Sequence, residues 1–193
     1  MIQELGPGFR LTLVFTILTG LLYPGVMTGI SQLVFPRQAN GSMLTVNGKI
    51  VGSSLIAQSF TRPEYFHPRP SAAGAGYDAG ASAGSNLGPT SQKLIDRVKA
   101  SAQNFRKENP EFSGNIPSDI LTTSSSGLDP HISPAAADAQ AARVAKARGA
   151  SVDQVKGLIA ESTHGPDLGF LGEPRVNVLL LNIALDQRLP VSR

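Results

Sequence analysis

Three histidines, His67, His131 and His164, are the first residues to weigh for chemistry, and each stands alone beside a proline or a glycine. A metal-binding helix would place two of them four apart, and a thiolate site needs cysteine, which this chain lacks. Histidines set among Pro and Gly read as loop-surface residues. The phosphate-cradling sequence GxxxxGK[ST] is absent, as is the GxSxG elbow of an α/β-hydrolase nucleophile. Gly74, Gly76 and Ala79 satisfy a relaxed dinucleotide fingerprint in spacing alone. No strand leads into them and no helix leaves them, so the match reads as an accident of a Gly/Ala-rich loop. A hydrolase would need a pocket that joins a histidine to a serine and an aspartate.

The longest uniform feature is apolar. From Leu11 to Phe35 there is no charged residue, and as a helix this stretch would run roughly 37 Å, beyond the ~30 Å hydrocarbon core of a bilayer. A cleaved signal peptide, with Arg10 as its positive region and Leu11 to Leu22 as its apolar region, is the rival reading. The run continues past that length and no Ala-x-Ala site follows it, which favours a retained helix. We therefore expect a short N-terminal segment over 1–10, a transmembrane helix over 11–36 and one soluble domain over 37–193. Within the span Pro24 should kink the helix by removing a backbone hydrogen bond. Gly25 and Gly29 form a small-x-x-x-small pair on which another helix could pack closely, although Gly is common in membrane helices in any case. The span offers no ionisable residue for an ion relay and no TVGYG-like filter. Arg10 and the terminal amine, with Glu4 beside them, on one side and Arg37 with Lys49 on the other leave the positive-inside rule close to a tie.

The soluble part reads as mixed α+β. Residues 43–60 read as β around Asn47-Gly48, a two-residue hairpin signal. Residues 61–89, rich in Pro, Gly, Ala and Ser, read as a long loop whose composition buries little and which serves either docking or flexibility. Thr90 or Ser91 should cap a helix with Leu94, Ile95, Val98, Ala102 and Phe105 on its apolar face. Ile120 to Thr123 is a short strand candidate. Ser133 with Pro134 should open an Ala-rich helix to Arg148, stopped by Gly149, with Arg143, Lys146 and Arg148 suited to its C-terminal dipole. Ser151 and Gln154 form a capping box for a helix through Val155, Leu158 and Ile159. A last helix is expected from Arg175 to Gln187, apolar on Val176, Leu179, Leu180 and Ile183. The small residues of Thr122 to Arg148 are either turn chemistry or a close-packed contact surface. The formal charge of +3 is scattered, without the basic stripe that nucleic acid requires.

Several long motifs carry a resemblance: QANGS (38–42), GSSLIAQSFTRPEYFHPRPSA (52–72), SAGSNLGPTS (82–91), TTSSSGLDPHISPAAADAQAARVAKARG (122–149) and LGEPRVNVLLLNIALD (171–186). Over essentially its full length the chain resembles the C subunit of the Kdp-type potassium-transporting ATPases. The resemblance implies a subunit of a bacterial inner-membrane complex that imports potassium with ATP. Its partners would be a channel-like potassium-binding subunit and a P-type ATPase subunit that forms an aspartyl-phosphate. The DKTG phosphorylation sequence is absent here, in keeping with a non-catalytic role. The family is described as a chaperone that raises the ATP affinity of the pump subunit, with its domain outside the cytoplasm over the channel entrance. No firmly bound cofactor is implied, and ATP would be met through the pump subunit. A glutamine linked to nucleotide in the family's QxxRVAxAR segment falls on Gln140. An external domain cannot touch cytoplasmic ATP, so an effect from that side would be indirect; the alternative is a regulatory subunit that binds nucleotide directly through Gln140. Nothing around Gln140 makes a phosphate nest, and it reads equally well as a surface or inter-subunit hydrogen-bonding residue.

Overall fold

The computed structural model describes residues 2–191, so Met1 of the expected N-terminal segment and Ser192 and Arg193 of the expected domain lie outside the described residues. It divides into two compact units between Val51 and Gly52, within the second strand of a hairpin.

The first unit is dominated by one helical run. Helix α1 (Ile2–Phe15) passes into a π-helical stretch (Thr16–Leu22) and on into α2 (Tyr23–Val34). Helix thus begins well before Leu11, and Gln3–Val34 is long and apolar enough to cross a membrane. The wide turn sits just before Pro24, with Tyr23 N donating to the carbonyl of Leu18 five residues back. Pro24 lacks an N–H and its ring would press on the carbonyl four residues earlier, and a π turn opens that space without ending the helix. The hydroxyls of Thr12 and Thr19 donate to the carbonyls of Gly8 and Phe15 at 2.9 and 2.6 Å. Polar groups satisfied inside the helix are what a hydrocarbon environment requires. A single turn, α3 (Pro36–Ala39), follows, then the hairpin of β1 (Met43–Val46) and β2 (Lys49–Ser53). Asn47 and Gly48 have φ of 51° and 76°, the left-handed pair that a two-residue turn of this kind needs. The β reading of 43–60 therefore holds to Ser53, after which the chain is irregular.

In the second unit α4 (Gln92–Glu108) starts after Ser91, whose side chain makes no capping bond, and only Phe105 of its expected apolar face is fully buried. The strand proposed at Ile120–Thr123 is instead a helical turn, α5 (Ser118–Leu121), with Ile120 as its buried residue. Four residues of β-prone type do not make a strand without a neighbour to pair with. Then come β3 (His131–Ile132), α6 (Pro134–Arg148), α7 (Val152–Glu161), β4 (Thr163–His164), β5 (Arg175–Asn177) and α8 (Val178–Arg188). The caps of α6 and α7 are as the sequence predicts. Ser133 accepts from Ala136 N, Gly149 closes α6 at φ 66°, and Ser151 with Gln154 forms the capping box.

The last helix is a correction. Arg175 to Asn177 is the central strand of a three-stranded antiparallel sheet of order β3-β5-β4, pairing His131 with Asn177 and His164 with Arg175. Asn177 caps α8 by accepting from Leu180 N. The buried face is accordingly Val178, Leu179, Leu181, Asn182 and Leu185, while Leu180 is 37% exposed.

The core joins α6, α7, α8 and the sheet through Ile132, Val144, Val155, Ile159, Val176, Leu181 and Leu185. Ala136, Ala137, Ala141 and Ala145 of α6 are also buried there. The small residues of α6 thus admit close packing by this domain's own elements. Phe66 joins the same core, fully buried, although it lies in the segment whose composition was expected to bury little.

Candidate functional site

The irregular segment after the hairpin is held by side chains. On α8, Asn182 Oδ1 accepts from Phe66 N at 2.9 Å and Nδ2 donates to the Phe66 carbonyl at 3.0 Å. On α6, Gln140 does the same to the next residue: Oε1 accepts from His67 N at 2.8 Å and Nε2 donates to the His67 carbonyl at 3.2 Å. Both amides are buried. Each stands in for a neighbouring strand and satisfies backbone groups that no sheet supplies.

Gln140 is therefore 1% exposed and not a surface residue. Its Oε1 also accepts from Arg143 Nη2 at 2.8 Å, and its Nε2 donates to the carbonyl of Ala136 at 3.2 Å. Both donors and both lone pairs of the amide are thereby used.

Arg143 extends the clamp, donating to the carbonyls of Pro63 and Tyr65 and to Asn109 Oδ1. Burial lowers its pKa to about 10, partly offset by Glu108. Arg148, with a fully buried side chain, donates to the carbonyls of Glu64 and Leu189 and to Asp186 Oδ1. Its guanidinium lies 5.0 Å from the centre of the Tyr65 ring, within cation–π range. Two of the three basic residues predicted to serve the helix dipole thus grip residues 63–65. Lys146 pairs instead with Glu111 at 3.0 Å.

Of the histidines read as surface residues, His67 departs most from that reading. His67 is half-buried, with Nδ1 3.3 Å from Glu108 Oε2 and Nε2 3.1 Å from the Arg62 carbonyl. Burial, and then the positive charge of Arg143, hold its pKa below the ordinary 6.5. With Tyr77, Phe105, Glu108 and Gln140 it lines a cleft of about 320 Å³. Burial also pushes the Tyr77 phenol up to about 12. His164 is exposed.

His131 shares an open groove of about 700 Å³ with Asp119, Asp129, Ser133 and Arg175. This brings together the residue types that a hydrolase would use. His131 Nδ1 is 3.4 Å from Asp129 Oδ1, but the Ser133 hydroxyl accepts from Ala136 N and donates to Asp119. The serine is a helix cap bonded to a carboxylate, not a nucleophile bonded to an imidazole. Burial opposes ionisation of Asp129, yet hydrogen bonds from His131 and Arg69 outweigh it and hold its carboxyl below the usual range. Among the described residues no three His, Asp or Glu side chains converge as a metal site.

Gly25 and Gly29 lie on α2 with nothing within 4 Å of where a Cβ would project. Sequence reasoning missed Asn182, and the signal was present: a single amide in the apolar run VLLLNIAL, at a core position where only a bonded polar group is tolerated.

An apolar helix long enough to cross a bilayer, followed by an α+β domain whose Gln140, Arg143, Arg148 and Asn182 side chains hold an irregular segment in place, defines the class of a membrane-anchored α+β protein. Residues 5–187 match the family described as K+-transporting ATPase, c chain, and the chain belongs to it. It is similar to the potassium-transporting ATPase KdpC subunit of Myxococcus xanthus, with 57% identity over 180 residues covering 93% of this chain and 85% of that protein. The subunit of that name from Rhodospirillum rubrum is 53% identical over 192 residues, covering 100% of both chains. That from Caulobacter sp. (strain K31) is 56% identical over 191 residues, covering 98% of this chain and 96% of that protein. As a member of this family the chain is a non-catalytic accessory subunit of an ATP-driven potassium import complex. It is a single-pass inner-membrane protein with an extracytoplasmic domain.

Proposed function

We propose that this subunit assembles the complex through its membrane helix and acts on ATP use indirectly, from outside the membrane. Residues 11–36 would be the embedded stretch and 37–193 the external domain. Gly25 and Gly29 would let the helix of a channel-like, potassium-binding subunit approach closely. The domain would sit at that partner's external mouth. Contacts that differ between two states of the P-type pump subunit would raise its ATP affinity from a distance.

The observation that carries the indirect reading is the closed hydrogen-bond shell of Gln140, bonded to His67, Ala136 and Arg143 of its own domain. Direct nucleotide contact through Gln140, the competing reading, would first have to break these buried bonds. A complex assembled with Gln140→Ala separates the two. The indirect reading expects ATP affinity to change only in proportion to lost subunit stability or lost assembly. Loss of ATP affinity in a fully assembled, undestabilised complex would overturn it. Gly25→Leu with Gly29→Leu should reduce co-purification of the complex, and undiminished recovery would rule out this docking face.

A further inference from the structure

The hairpin of β1 and β2 is left without a role by the fold and by the site above. It is two-stranded, and an isolated pair of strands is marginal in water without something to cover a face. Met43 is 46% exposed and Ile50 is 67% exposed. A two-residue turn at Asn47-Gly48 puts these two side chains on the same face.

Two further observations say what covers that face. The first is distance. Asn40 Nδ2 donates to Gln32 Oε1 at 3.1 Å and to the Pro36 carbonyl at 2.7 Å, while Ser42 N donates to the Arg37 carbonyl at 2.9 Å. The chain therefore folds back on the last turns of the spanning helix, and β1 begins three residues after Asn40. Three residues reach at most about 10 Å, so the hairpin starts at the depth where that helix leaves the hydrocarbon.

The second observation is charge. No Asp or Glu occurs between Glu4 and Glu64, while Arg37 and Lys49 fall inside that interval. Both are exposed. Neither has an ion-pair partner among the described residues. Exposed apolar side chains beside unpaired cations at the end of a membrane helix are the combination that seats an element in the headgroup layer.

We propose that the β1–β2 hairpin rests on anionic lipid headgroups of the bilayer that holds the chain's own helix, with Met43 and Ile50 in the interface and Arg37 and Lys49 on the phosphates. The proposal rests on the helix being a membrane span.

The test uses the full chain, which has no cysteine, reconstituted in phosphatidylcholine vesicles with and without phosphatidylglycerol. Fluorophores are placed singly by Ile50→Cys, Met43→Cys, Leu18→Cys and Lys156→Cys, and quenching by brominated lipid is compared with quenching by aqueous iodide. Lipid quenching at Ile50→Cys and Met43→Cys should exceed that at Lys156→Cys and rise with phosphatidylglycerol. Arg37→Gln and Lys49→Gln should each lower that anionic gain about fivefold. Iodide quenching at both hairpin positions without lipid quenching would overturn the proposal. So would a hairpin that avoids lipid and becomes shielded only in the assembled complex, since its occupant is then protein. Leu18→Cys reports the span itself: losing its lipid signal too would overturn the anchor, whereas losing only the hairpin signals overturns the hairpin's seat alone.

Discussion

Asn182 and Phe66, 116 residues apart in sequence, exchange two hydrogen bonds in the manner of paired strand residues. Gln140 repeats the exchange with His67 from a different helix. Two adjacent peptide units of an irregular segment are thus fixed between α6 and α8 by amide side chains. Helices provide no free backbone groups along their sides, so a loop threaded between them must be satisfied by side chains or left at a cost.

Removing either amide should leave a buried N–H and carbonyl without partners. Asn182→Ala and Gln140→Ala are each expected to lower unfolding stability by about 2–3 kcal/mol. Because the two clamp consecutive residues, the double variant should depart from the sum of the single effects. Denaturant unfolding of the four proteins in one detergent measures both quantities.

Gly127 carries a different constraint. Its φ is 67°, and a Cβ there would lie 2.6 Å from the Ala83 carbonyl oxygen and 2.7 Å from Ala73 N. Its own carbonyl accepts from the Ser71 hydroxyl at 2.6 Å. Gly127→Ala must therefore push the 71–83 segment off its seat, at a cost of about 2 kcal/mol or more. Faster proteolysis within residues 71–89 is the expected readout, and an unchanged cleavage pattern would count against this packing.

Ser133 tests the distinction between a cap and a nucleophile. As the N-cap of α6, bonded to Ala136 N and Asp119, its replacement by Ala should cost about 1–2 kcal/mol of stability. Ser133→Asn, which can also cap, should recover much of it. A serine-directed covalent probe should fail to label the wild-type protein, and stoichiometric labelling at Ser133 would contradict the capping role.

Stability should fall as the solution is acidified below the ordinary histidine pKa of 6.5, because His67 is held below that value by burial and by Arg143. Between the two pKa values the unfolded chain binds the proton more readily than the folded one. The contribution of neutral His67 is thus complete above pH 6.5 and is lost as pH falls toward the folded pKa. His67→Gln should flatten the slope of unfolding stability against pH in this window, and an unchanged slope would remove His67 as its source.

Much of the local structure was legible in the sequence because its causes are local. The uncharged run after Arg10, the Asn47-Gly48 turn, Ser133-Pro134 with Gly149 and the Ser151–Gln154 box each act over a few residues. Those elements formed where their residue types placed them. The long motifs likewise sufficed to place the chain in its family. Tertiary structure decided what depends on distant partners. Arg175–Asn177 became a strand because β3 and β4 flank it, and Ile120 turned helical with no strand beside it. The Pro- and Gly-rich segment became ordered because Gln140, Arg143, Arg148 and Asn182 reach it from two helices. A hydrogen bond across 73 or 116 residues leaves no periodicity in the chain. It is fixed only when packing of the core brings both ends together and burial makes an unpaired amide costly.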